Sequence, residues 1–73
     1  MFAKDVAGKE IVNLSLAIRI GLRHHWRDDL WQVYAEYGFD KHVILFESAE
    51  RDEGEAHLSR IEILLRERDA FLY

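Results

Sequence analysis

Apolar and other residues alternate one for one from Val12 to Leu22. Val12, Leu14, Leu16, Ile18, Ile20 and Leu22 are apolar, and Asn13, Ser15, Ala17, Arg19 and Gly21 fall between them. A period of two predicts a strand with one face buried. Wound as a helix, the same six residues scatter around the cylinder, and Gly21 costs about 1 kcal/mol against alanine. A helix stays as the alternative, because leucine and alanine are good helix formers. The segment Phe2 to Val6, followed by Ala7-Gly8-Lys9-Glu10, is expected to be the first arm of a hairpin leading into this strand.

From Trp26 to Tyr37 the period changes. Leu30, Val33, Tyr34 and Tyr37 lie at helical spacing, Asp28 and Asp29 complement the dipole of a first turn, and Gly38 supplies a left-handed stop. The short run His42 to Glu47 is β-branched and bounded by polar residues, which predicts a buried strand. Ser48 is a good N-cap, though Arg51 in place of glutamate precludes a full capping box. A last helix is expected from about Asp52 to Asp69, with Leu58, Ile61, Leu64 and Leu65 as its apolar stripe and Gly54 softening its first turn. The predicted fold is α+β: a small sheet made of a hairpin plus one further strand, packed with two helices in the order β-β-α-β-α. A mostly helical arrangement is the alternative. The long strand leaves an edge that must be covered or paired with a second copy.

Length and charge narrow the function classes. The chain has 73 residues, no cysteine and no proline. It is one domain with a thin margin of stability, lacking disulfides and thiolate metal sites, and such chains often gain stability by oligomerising. No run is long and apolar enough to span a bilayer and no secretory signal is visible, so a cytoplasmic location without membrane contact is expected. A net charge of −4 argues against a general nucleic-acid coat protein. The charge is uneven, however. Residues 11–27 hold Arg19, Arg23 and Arg27 without an acid, while residues 28–73 hold twelve acids and five bases. The acidic run Glu50, Asp52, Glu53 and Glu55 suits the start of a solvated helix.

Among the residues that carry chemistry, Glu62 stands out because it is embedded in the stripe Ile61-Ile63-Leu64-Leu65. It is either a surface ion pair with Arg66 at i+4 or a ligand for a hard divalent cation. His24 and His25 are adjacent, so on a strand they point to opposite faces and cannot easily share a metal. One of them, near Arg23, could handle a proton or a phosphate. His42 and His57 are isolated. Trp26, Trp31, Tyr34, Tyr37 and Phe39 read as core, with one ring left to mark an interface or to stack on a base. No phosphate loop, nucleophile elbow or triad is present.

Two stretches, LWQVYAEYGFDKHVILFES and EAHLSRIEILLRERDAFLY, separated by an acidic break, resemble the C-terminal half of a GIY-YIG nuclease domain, particularly its phage-encoded forms. Trp31, Tyr37 and Gly38 match the family's aromatic helix and its stop, and Val43 to Glu47 match the following strand. Glu62 stands where the family has its metal-binding glutamate. The likeness covers roughly half of the chain. No tyrosine precedes Tyr34, so the strands that name the family are not evident and the chain resembles a degenerate or truncated member. The family's domains continue past this helix, so a fragment of a longer protein is one expectation. The resemblance implies metal-assisted phosphodiester hydrolysis, with Glu62 holding Mg²⁺ or Mn²⁺. Arg19 or Arg23 would offset charge on the scissile phosphate, and His24 or His25 would replace the missing general base. Arg19, Arg23 and Arg27 would meet the nucleic-acid backbone. The competing expectation is a non-enzymatic, homodimeric protein-interaction module.

Overall fold

A computed structural model describes residues 1–38 and 40–69, the last two of these by backbone alone. The order of elements is β1 (Phe2–Lys4), β2 (Ile11–Asn13), a 3-10 turn (Leu14–Leu16), β3 (Arg19–His25), β4 (Leu30–Glu36), β5 (His42–Ser48) and α1 (Arg51–Asp69). The strands form a two-stranded ribbon, β1-β2, and a three-stranded sheet, β3-β4-β5, with every pairing antiparallel. The α+β class therefore holds, but the expected order β-β-α-β-α does not, nor does a mostly helical chain. The described residues contain five strands and a single helix.

The main correction concerns residues 26–37. The helical spacing of Leu30, Val33, Tyr34 and Tyr37 hides an alternation. Trp31, Val33 and Ala35 face α1, and Gln32, Tyr34 and Glu36 face away. β4 is paired on both sides, from Arg19↔Glu36 to His25↔Leu30 with β3 and from Trp31↔Ser48 to Glu36↔His42 with β5. Aromatic and β-branched residues suit a pleated central strand, and these partners supply its ladder. Asp28 and Asp29 form a hairpin turn instead of a first helical turn, with Asp29 at φ 52°. Asp is one of the few non-glycine residues that tolerate this region. Gly38 ends no helix; at φ 133° it serves the β4–β5 turn with Asp40 at φ 62°.

The alternating run at residues 12–22 is also divided. Asn13 accepts a hydrogen bond from the Ser15 amide at 3.0 Å, breaking the strand into a 3-10 turn. Leu14 is thereby driven into the core, while Leu16 and Ile18 are left exposed. The expected hairpin at the start is present, in the register Phe2↔Asn13 to Lys4↔Ile11. The Val6 amide donates to the Ile44 carbonyl at 2.7 Å, tying this ribbon to the outer edge of β5.

The core is Val12, Leu14, Val33, Ala35, Val43, Leu45, Ile61 and Leu65. Between Val33 and Tyr34 the β4–β5 register slips, leaving Leu45 as the extra residue of β5. Bulges of this kind re-aim a side chain, and Leu45 is buried. The helix begins one residue before its expected start. Ser48 ends β5, accepts the Glu50 amide at 3.1 Å and donates to Glu53. Gly54, Leu58, Ile61 and Leu65 recur at helical spacing and face the sheet. Burying each large side chain contributes about 1.5–3 kcal/mol. At Gly54 the helix lies so close to the sheet that an added Cβ would stand 2.7 Å from a Leu22 methyl. Among the described residues, no helix is long and apolar enough to cross a membrane.

Candidate functional site

The helix covers one face of the three-stranded sheet, and the other face carries a polar network. Strand alternation sorts the residues. Leu22 and Trp31 meet α1, so Arg23 and Gln32, their chain neighbours, point to the opposite side. There Arg23 Nε donates to Gln32 Oε1 at 3.1 Å, and Gln32 Nε2 donates to Glu47 Oε2 at 2.7 Å. Gln32 is only 6% exposed, and these two bonds satisfy both ends of its amide. The Arg23 guanidinium also lies 5.3 Å from the Tyr34 ring centroid. The Tyr34 ring crosses Gly21, where any side chain would meet it. The neighbouring His42 ring lies 5.9 Å away.

Two more ion pairs complete this face. Arg19 Nε lies 3.7 Å from Glu36 Oε1, and His42 Nε2 lies 3.6 Å from Glu36 Oε2. The two arginines expected to face a phosphate are therefore on one face, each with a partner. Arg27 is in the β3–β4 turn, 5.2 Å from the ring of its exposed neighbour Trp26.

His24 and His25 do diverge, as alternation requires. His24 Nε2 is 2.9 Å from Asp29 Oδ1, and its ring lies against Trp31 at 4.9 Å on the helix side. His25 Nδ1 is 3.2 Å from Asp28 Oδ2 but out of line for a hydrogen bond. Both histidines thus brace the hairpin turn. Glu62 is half-exposed on α1 and pairs with Arg66 at 3.0 Å. The sheet separates the Arg19 and Arg23 side chains from the helix, so no cleft brings Glu62 together with either. Among the described residues, no group of three or more His, Asp or Glu side chains is arranged to hold a metal ion. Of the expected aromatic set, Phe39 lies outside the described residues. Tyr37 donates to the Asn13 carbonyl at 2.8 Å, and burial, then the nearby Glu10 carboxylate, raises its pKa above the usual phenol value.

Two groupings escaped sequence reasoning. The Arg23–Gln32–Glu47 chain was signalled by the alternation of Gln32, Tyr34 and Glu36, which the stronger-looking helical spacing masked. A cleft between β1 and α1, with Lys4 and Arg60 at its rim and Leu14, Leu45 and Ile61 in its walls, had no sequence signal, because its residues are far apart along the chain. His57, beside Arg60, stacks on Phe46 with ring centroids 4.4 Å apart. Desolvation, then the Arg60 charge, lowers the pKa of its imidazole below the ordinary value. Comparison with protein families, with curated proteins and with solved structures found no match.

Proposed function

We propose that this chain is a non-enzymatic interaction module that associates with a second copy of itself. The reading rests on one observation: Phe2 (71%), Ile11 (65%), Leu16 (72%) and Ile18 (70%) are large, apolar and exposed on the β1–β2 ribbon and the segment that follows it. Phe2 lies opposite Asn13 and Ile11 opposite Lys4, on the ribbon face turned away from the buried Val12. Leu16 and Ile18 follow directly along the chain. Residues 11–18 carry no charge, and Lys4, opposite Ile11, is the one charged residue among the paired positions of the ribbon. A standard interface covers about 800 Å² per partner, a modest part of a 5400 Å² surface.

The free edge of β3 is a poorer route to a dimer. That edge carries Arg19 and Arg23, and edge charges of this kind discourage pairing. The hydrolytic reading lacks comparable support, since Glu62 is engaged by Arg66, and Arg19 and Arg23 by Glu36 and Gln32.

Sedimentation velocity across a micromolar concentration series tests the proposal. A monomer–dimer equilibrium is expected, and Leu16→Asp with Ile18→Asp should abolish it while leaving the circular dichroism spectrum unchanged. A wild-type chain that stays monomeric throughout the series would overturn the reading.

A further inference from the structure

We propose that the cleft between β1 and α1 binds a small amphipathic monocarboxylate, of the size of a medium-chain alkanoate. The cleft has a volume of about 270 Å³. At the roughly 30 Å³ that one molecule occupies in liquid water, it holds about nine non-hydrogen atoms, close to heptanoate or octanoate. Its walls are Ala3, Leu14, Leu45 and Ile61, which suit a hydrocarbon tail. Its rim carries Lys4 and Arg60, and among the described residues neither is within salt-bridge distance of a carboxylate. Both cations at this rim therefore have room for an acidic ligand. The other arginines of β3 and the first half of α1 are paired with acids or a glutamine. His57 also lines the rim, where burial and then the Arg60 charge disfavour imidazole protonation. A carboxylate head between Lys4 and Arg60, with its tail on Leu14 and Ile61, satisfies both halves of the site. Sites of this kind are mostly apolar with a few placed polar groups that fix orientation.

Lys4 adjoins the apolar patch through its strand partner Ile11, but Leu16 and Ile18 take no part in the cleft, so the Leu16→Asp, Ile18→Asp variant tests self-association without altering the cleft's lining. Titration with octanoate, followed by amide NMR, tests it. Saturable shifts are expected at Ala3, Leu14, Leu45 and Ile61, with affinity rising about three- to fourfold per methylene from butanoate to octanoate and levelling off at decanoate. Octanol, which has the same tail without the charge, should bind about tenfold more weakly or worse. The pair Lys4→Gln and Arg60→Gln should reduce octanoate to the level of octanol, and Leu64→Glu, at an exposed rim position, should repel it. Each variant's amide spectrum establishes that it is folded. Shifts that do not saturate, octanol binding as tightly as octanoate, or unchanged affinity in the Lys4/Arg60 pair would each overturn the proposal.

Discussion

Replacing Gln32 by methionine tests the polar face of the sheet most directly. The side chain keeps its length and loses both hydrogen bonds, one from the Arg23 guanidinium and one to the Glu47 carboxylate. Hydrogen bonds to charged groups contribute about 1.5–3 kcal/mol each. Two effects reduce the loss here: Arg23 is exposed and Glu47 is only half-buried, so both rehydrate, and methionine gains apolar contact at a site 6% exposed. The net cost expected is about 1–2.5 kcal/mol. In a domain of this length each kcal/mol moves the midpoint by about 4–8 °C. Urea and thermal unfolding should therefore show Tm falling by about 5–15 °C with the urea m-value unchanged. A cycle with Glu47→Leu should reveal coupling, since the two residues share a bond. A Gln32→Met variant as stable as the wild type, or more stable, would refute a net stabilising contribution from these two hydrogen bonds.

Three further outcomes are expected. Glu62→Gln removes a surface i,i+4 pair and should cost only about 0.2–0.5 kcal/mol, a loss that disappears in high salt; a penalty of several kcal/mol would mean that Glu62 is held by something other than Arg66. Gly21→Val should cost about 1–3 kcal/mol because Tyr34 Oη lies 3.0 Å from the new Cβ, and the cost should largely vanish in a Tyr34→Ala background; equal costs in both backgrounds would dismiss the contact. The depressed pKa of His57 means that the folded state resists a proton that the unfolded chain accepts. Its contribution is therefore present above the ordinary value of 6.5 and lost as pH falls through the lower folded pKa. His57→Gln should accordingly lose less stability than the wild type between about pH 7 and about pH 5, measured by urea unfolding at each pH, and parallel pH profiles would remove His57 as the cause.

The candidate site was only partly legible. Adjacency alone predicts that His24 and His25 diverge, and the i,i+4 spacing alone predicts that Glu62 meets Arg66; the structure contains both features. Both are local relations, fixed by the geometry of a strand or of one helical turn. Whether Glu62 and Arg19 share a cleft is a relation across 43 positions. It depends on which side of the sheet α1 covers, and no local pattern encodes that.

The same division runs through the fold. Residues 52–69 fit only a helical period and residues 42–47 only a short buried strand, and each segment adopts the predicted form. Residues 30–36 fit both periods, because Leu30, Val33, Tyr34 and Tyr37 outline a helix while Trp31, Val33 and Ala35 outline a strand face. The chain settles that ambiguity only when Arg19–His25 and His42–Ser48 arrive on either side to receive the backbone hydrogen bonds of β4. A helix satisfies its backbone from within, so its own residues suffice to specify it. A central strand borrows every ladder partner from elsewhere along the chain, so its identity belongs to the tertiary structure.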